Sequence, residues 1–167
     1  FHYLATPWLK EKYGASAGRW YPSEDRQPPA GSTVAKELTA WLQGRPMVSV
    51  GGNHDYISLA DSLRAKGARA HDLLAGPADV GTVRFAGFRE IPYMNWEWNG
   101  EASPSQLQAA VDKAMAADPT VLVTHSPPSG ILDLSPAKGG SVGISALTTH
   151  LTYKPHQVKL HCFGHIH

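Results

Sequence analysis

Three short β-prone runs in this chain each lead into a loop that carries a histidine. The runs cover residues 47–50, 120–123 and 158–163, and the loops that follow are Gly52-Asn53-His54-Asp55, Thr124-His125-Ser126-Pro127-Pro128 and Gly164-His165-Ile166-His167. In α/β folds, ligand-binding groups gather beyond the carboxyl ends of strands, because loop amides and helix starts converge there. The pattern therefore predicts one pocket built from three separated parts of the sequence.

Stretches with helical spacing of apolar residues separate these strands. The spacing predicts helices from Ser32 or Thr33 to Gly44, from Ser58 to Lys66, from Ser103-Pro104 to Asp118 and from about Ile144 to Leu151. Successive helix-plus-strand units favour neighbouring, right-handed connections, which would place the three strand ends side by side. We expect residues 32–167 to form an α/β domain, and residues 1–31, rich in Pro, Gly and aromatic residues, to form a loop or lid excursion.

Composition limits the partners of this domain. The chain has 167 residues, a formal net charge of +1 and one cysteine, Cys162. The near-zero charge argues against a nuclease, which would need a basic groove, and the single cysteine excludes an intramolecular disulfide framework. Without an apolar run of about 18 residues no membrane span is predicted, so the expectation is an intracellular, soluble protein of undefined compartment.

The residues at the strand ends have the chemistry of metal ligands. Asn53, His125, His165 and His167 offer an amide oxygen and imidazole nitrogens, which suit Zn, Mn, Fe or Ni, and there is no cysteine cluster for a structural zinc site. A lone histidine at a strand end is more often a hydrogen-bonded structural residue. The grouping of four candidate ligands is what favours a metal centre.

The three loops resemble the third, fourth and fifth sequence blocks of the calcineurin-like metallophosphoesterase family, in the same order. The resemblance covers residues 46–167, and the stretch from Pro127 to His167 is most similar to the small branch that includes cyclic-nucleotide phosphodiesterase-like members. It implies a four-layer fold, a two-sheet β-sandwich flanked by helices, whose N-terminal strands lie outside these 167 residues.

The resemblance also implies roles for individual residues. Asn53, His125 and His165 would bind the second of two divalent transition metal ions, and His167 would bind the first. His54 would donate a proton to the leaving group, oriented by Asp55. The implied reaction is hydrolysis of a small phosphoester, such as a cyclic nucleotide phosphodiester, by a hydroxide that bridges the two metals.

Two blocks of the family have no counterpart in this sequence. Neither an Asp-x-His nor a Gly-Asp occurs in the 167 residues, although these blocks supply two ligands of the first metal and the bridging carboxylate. One explanation is that the sequence is part of a longer polypeptide that carries them. The other is that the chain is a non-catalytic structural or interaction subunit in a protein assembly, which has lost its first metal half-site.

Simpler interpretations stand beside these roles. His54 and Asp55 could simply cap the following helix. The aromatic loop with Tyr93, Asn95, Trp96 and Trp98 is expected to pack on the surface rather than stack on a substrate base. His161 is expected to be a packed or edge residue and Cys162 a buried small hydrophobe. Ser126 is followed by two prolines rather than by a nucleophile elbow, which argues against nucleophilic catalysis.

Overall fold

The computed structural model describes residues 33–53, 55, 58–94, 98–135 and 139–166; for residues 33–36 it describes the backbone alone. This part of the chain is a mixed α/β structure with four helices and several small sheets. The predicted loop or lid at residues 1–31 lies outside the described residues. Within the described residues, no helix is both long and apolar enough to cross a membrane.

Helices and strands follow one another in the order that the sequence predicts, with additional short strands between them. They are α1 (Thr33–Leu42), β1 (Met47–Ser49), α2 (Leu59–Arg64), β2 (Ala70–Asp72), β3 (Ala78–Val80), β4 (Val83–Phe88), β5 (Ile91–Pro92), β6 (Glu101–Ala102), α3 (Pro104–Met115), β7 (Val121–Thr124), β8 (Leu134–Ser135), β9 (Gly140–Ser141), α4 (Ser145–Tyr153) and β10 (Leu160–Cys162).

Local chemistry explains where the helices begin. The Ser103 hydroxyl accepts a hydrogen bond from the Gln106 backbone N–H at 3.3 Å, and the Gln106 side chain accepts one from Ser103 N–H at 2.8 Å, so α3 starts with a capping box. Helix α2 is capped by Ser58, whose hydroxyl accepts from Asp61 N–H. The interpretation of Asp55 as a helix cap is therefore wrong, because Ser58 occupies that position.

The largest sheet has four strands in the order β10-β7-β4-β3. Strands β10, β7 and β4 are parallel, and β3 pairs antiparallel with β4. The carboxyl ends of β4, β7 and β10 therefore lie at one edge of the sheet. Strand β1 pairs in parallel with β2 in a separate two-stranded sheet.

Two apolar clusters lie beneath these sheets. The larger one packs α3 and α4 against β4 and β7, and its fully buried members include Val111, Leu122 and Leu147. The smaller one consists of Leu42, Ala60, Leu63 and Ala70, from α1, α2 and β2. The β1–β2 sheet and the four-stranded sheet are thus each covered by their own pair of helices.

A glycine allows the segment after β1 to approach the larger sheet closely. A Cβ atom on Gly87 of β4 would lie 2.1 Å from the Val123 carbonyl oxygen and 2.9 Å from Val50 Cγ1. Only a residue without a side chain fits between these atoms. Val50 immediately precedes the Gly51-Gly52-Asn53 loop, so this contact brings that loop to the edge where β7 ends.

Strand β10 lies at the end of the four-stranded sheet and is exposed on one face. Leu160 and Cys162 are exposed, whereas His161 between them is partly buried, as a packed or edge residue should be. The expectation of a buried Cys162 is wrong, because the alternation of the strand places it on the exposed face with Leu160.

Candidate metal centre

The structure brings together three of the predicted metal ligands, one from each strand-end loop. Asn53 Oδ1 lies 2.8 Å from His125 Nε2, although 72 residues separate them in sequence. The rings of His125 and His165 have centroids 4.7 Å apart with an interplanar angle of 53°. His54 and His167, the predicted proton donor and fourth ligand, lie outside the described residues.

A tight turn after β1 holds Asn53 in place. The Asp55 backbone N–H donates to the Gly52 carbonyl at 3.1 Å, and the Gly52 N–H donates to Asp55 Oδ2 at 2.8 Å. Asn53 follows Gly52 and is only 3% exposed, so its amide oxygen faces the protein interior. Asp55 thus closes the turn with its own carboxylate, a role that the sequence interpretation did not include.

His125 lies in a groove that only glycine permits. Its backbone N–H donates to the Phe88 carbonyl at 3.2 Å, which continues the β4–β7 pairing by one residue. A Cβ atom on Gly52 would lie 2.6–3.0 Å from three atoms of the His125 ring. The Gly52 backbone therefore forms one wall of the space that the ring occupies.

His165 has a strained backbone. Its φ is +73°, and the Ile166 N–H donates to the Gly164 carbonyl at 2.9 Å, which closes a three-residue γ-turn with His165 at its centre. Turns of this kind are rare, and residues in such conformations cost about 1–3 kcal/mol and cluster at functional sites. The Gly164 N–H donates to the His125 carbonyl at 3.0 Å, which fixes the turn against the β7 loop.

The donor atoms of this cluster fit a transition metal ion. An amide oxygen and imidazole nitrogens bind such ions at about 2.0–2.2 Å, so two donors 2.8 Å apart can reach the same ion. Across the part of the chain that the structure describes, no group of three or more His, Cys, Asp or Glu side chains is clustered for metal binding. The cluster reported above is two histidines and an asparagine, none of which carries a negative charge, so charge compensation for a dication would come from other residues.

A partly buried network of hydrogen bonds includes Thr124, the residue that precedes His125. The Thr124 hydroxyl lies 2.8 Å from His161 Nε2 and donates to the Ser126 carbonyl at 2.7 Å. Burial lowers the pKa of His161 to about 4, because its charged form loses hydration. His161 is therefore neutral at physiological pH. Sequence reasoning treated it as a packed or edge residue; its alternation with Leu160 and Cys162 along the strand was the available signal.

A second unpredicted contact joins the aromatic loop to the turn. The Asn99 side-chain amide donates to the Asp55 carbonyl oxygen. Tyr93, at the start of this loop, is 67% exposed, while Trp98 is partly buried; Asn95 and Trp96 lie outside the described residues. The loop thus contacts the segment that carries the predicted proton donor.

Asp133, which sequence reasoning missed, joins the loop after the Pro-Pro segment to residues 141–143. Asp133 is 1% exposed and accepts hydrogen bonds from the Ser141 hydroxyl and from Gly143 N–H at 3.0 Å. The bond from Ser141 is the main reason that the pKa of Asp133 is lowered. Ser126 is fully buried, in agreement with its exclusion as a nucleophile.

Comparison with known proteins gives no independent assignment. No protein-family model matches the chain, and no curated protein matches its sequence.

Proposed function

We propose that this chain is the metal-binding part of a metallophosphoesterase, a hydrolase with a dinuclear metal centre that cleaves a phosphoester. The observation that supports the proposal most is the approach of Asn53 Oδ1 to His125 Nε2 at 2.8 Å, beside the His165 ring. Three loops that resemble three family blocks thus place their candidate ligands together. The strained turn at His165 is a second argument for a functional rather than a structural cluster.

Individual residues of this chain would have the following roles in metal binding and proton transfer. Asn53, His125 and His165 hold one divalent metal ion, His167 binds the other, and His54 donates the proton that the leaving oxygen needs. The metal ions, Mn, Fe, Zn or Ni, would polarise the phosphate and generate the attacking nucleophile from water. A positioned imidazole acid contributes typically a factor of about 10²–10⁴. Asp55 closes the turn on which His54 is carried.

The expected fold agrees with this proposal at the level of the mixed α/β structure. We propose that the β1–β2 sheet and the four-stranded sheet belong to a two-sheet sandwich flanked by helices, with its first strands contributed by residues outside this sequence. The close approach of Val50 to Gly87 supports such an arrangement, because it brings the segment that follows β1 against β4 of the larger sheet.

The substrate we propose is a small phosphodiester such as a cyclic nucleotide. A formal net charge of +1 provides no general attraction for long nucleic acids. The contact of Asn99 with the Asp55 carbonyl places the aromatic loop beside the turn that carries the proposed proton donor.

A non-catalytic role on the same fold is the second candidate, and one observation favours it. Neither Asp-x-His nor Gly-Asp occurs in the sequence, so these 167 residues lack the carboxylate ligands of the first metal and the bridging carboxylate. An enzyme therefore requires both blocks elsewhere in the full-length polypeptide. A structural or interaction subunit requires neither.

Metal analysis and hydrolysis assays of the purified full-length protein test the proposal. We expect two equivalents of transition metal and hydrolysis of bis(p-nitrophenyl) phosphate, which His125→Ala abolishes. His156→Ala is the matched control, because His156 is exposed and contacts the Leu151 carbonyl at 3.0 Å rather than the cluster. A full-length protein that binds no metal and hydrolyses no phosphoester would contradict the enzyme and favour the structural subunit.

A further inference from the structure

The hydrogen bonds around Thr124 determine which nitrogen of His161 carries the proton. The Thr124 hydroxyl lies 2.7 Å from the Ser126 carbonyl and 2.8 Å from His161 Nε2. A hydroxyl has one proton to donate, and a carbonyl can only accept. Thr124 therefore donates to Ser126 and accepts from His161, so the neutral His161 ring must carry its proton on Nε2.

Beside the pairing of β7 with β10, this bond and a second one connect the two segments near the candidate ligands. Thr124, which is 2% exposed, immediately precedes His125. On the other side, the Gly164 N–H donates to the His125 carbonyl at 3.0 Å, and Gly164 immediately precedes His165. The first bond holds the backbone before His125, and the second holds it at His125 itself.

We propose that His161 is a positioning residue that fixes the separation of His125 and His165 by donating from Nε2 to Thr124. The inference rests on the proposed metal-binding function, because it gives His161 a role in preparing the site for the ion. His161 does not contact the proposed ion. It limits the movement of two strand ends whose loops carry the ligands. Partners that bond directly to metal ligands typically change metal affinity by about 10- to 100-fold when they are removed, and we expect an effect in this range from His161, because Thr124 adjoins the ligand His125.

Metal titration of His161 variants of the full-length protein gives the first test. His161→Phe keeps a ring of similar size but removes the donor, and we expect its affinity for Zn²⁺ or Mn²⁺ to fall about 10- to 100-fold. His161→Gln keeps an N–H donor and should recover most of the affinity. His156→Phe is the control, since it makes the same substitution at an exposed histidine outside the network.

NMR spectra of the metal-free protein provide a second test that does not depend on metal binding. In the wild type, imidazole ¹⁵N shifts should identify His161 as the Nε2–H tautomer, and NOEs should connect the rings of His125 and His165, whose centroids lie 4.7 Å apart. The NOEs should weaken in His161→Phe and return in His161→Gln. Thr124→Val removes the hydroxyl that accepts the bond from His161. This variant is used in place of His161→Phe if His161→Phe does not fold.

The two tests separate the failure of this inference from the failure of the proposed function. A wild-type protein that binds no metal contradicts the proposed function, and the NOEs still decide whether His161 holds the two rings together. Unchanged affinity and unchanged NOEs in a folded His161→Phe would overturn the positioning role, even if its melting temperature fell. The Nδ1–H tautomer in the wild type would also overturn it.

Discussion

At the scale of single residues, the candidate site depends on the fact that Gly52 has no Cβ atom. Its backbone lies so close to the His125 ring that a Cβ atom would be 2.6–3.0 Å from three ring atoms. Real Cβ contacts are longer than this, so a side chain at this position has to displace the imidazole. The neighbouring Gly51 differs, because a Cβ atom there would meet its nearest neighbours at 3.6 and 3.8 Å.

We expect Gly52→Ala to weaken metal binding while the protein still folds. The displaced ring would lose its 2.8 Å approach to Asn53, and affinity for Zn²⁺ should fall at least about tenfold, equivalent to about 1.4 kcal/mol. Overpacking should lower the free energy of unfolding by about 1 kcal/mol. Isothermal titration and urea denaturation measure the two effects. Gly51→Ala is the control, and equal losses of affinity in both variants would contradict the proposed geometry.

His161 should make the stability of the protein depend on pH. Its pKa is about 4 in the folded state, below the usual value of 6.5, so only the unfolded chain takes up this proton between these two values. The contribution is present in full above about pH 6.5 and is lost as the pH falls toward 4. Uptake of one proton changes the free energy of unfolding by at most about 1.4 kcal/mol per pH unit, and solvent screening of the partly exposed ring reduces this slope.

Urea denaturation of wild type and His161→Gln in the presence of a chelator measures this contribution. Other groups titrate in both proteins, so the difference between the two curves isolates His161. We expect wild type to lose more of its free energy of unfolding between pH 7 and pH 5 than the variant does. Parallel curves would mean that His161 is protonated normally in the folded state.

At the scale of structural elements, the turn at residues 52–55 and the aromatic loop are joined by a hydrogen bond. Asp55 is held at its N–H and carboxylate by Gly52 and at its carbonyl by the Asn99 side chain. His54 is the residue before Asp55, so the freedom of this turn should affect its proposed action as a proton donor. Protonation matters most when the leaving group is a poor one.

We therefore expect Asn99→Ala to change leaving-group dependence rather than to lower all rates equally. Its kcat/KM should fall about tenfold more for an unsubstituted phenyl ester than for the p-nitrophenyl ester, whose leaving group departs readily without a proton. Steady-state kinetics of the full-length protein on both esters gives the ratio of the two effects, which serves as its own control. A uniform loss on both substrates would indicate that Asn99 serves stability alone.

Elements with local signals were predicted well, and elements defined by distant partners were not. Helix α3 was expected from Ser103-Pro104, and it starts there because the capping box involves only residues 103–106. Strand β2 was missed, since its three residues are specified by pairing with β1. Pairing partners of so short a strand are chosen by the packing of the whole chain.

In the candidate site, too, local signals could be predicted and contacts between distant residues could not. Asn53, His125 and His165 could be predicted because each follows a strand, and strand ends converge. The contacts that hold them could not be predicted, because they join residues far apart in sequence. The bond between Thr124 and His161 spans 37 residues, and the bond between Asp55 and Asn99 spans 44. The γ-turn at His165 was also missed, since nothing in Gly164-His165-Ile166 demands a positive φ at the histidine.

At the scale of the whole molecule, the proposed metal site lies between two parts with separate apolar clusters. Asn53 follows β1, which belongs to the part with the smaller cluster, whereas His125 and His165 follow strands of the larger sheet. The smaller cluster consists of two leucines and two alanines, so it should open at a lower free energy than the larger one. An ion held by Asn53 and the two histidines would connect the two parts.

Metal binding should therefore protect the β1–β2 part more than the rest of the protein. At a metal concentration about 100 times the Kd, binding stabilises the folded state by about 2.7 kcal/mol, which corresponds to about 100-fold slower hydrogen exchange through openings that release the ion. We expect this slowing at residues 47–49 and 70–72 on addition of Zn²⁺ or Mn²⁺, measured by hydrogen–deuterium exchange with mass spectrometry. In Asn53→Ala, where His125 and His165 still offer imidazoles, the protection of these strands should be lost while that of β7 and β10 is partly kept. Equal protection of both sheets in wild type and Asn53→Ala would show that the ion does not connect the two parts through Asn53.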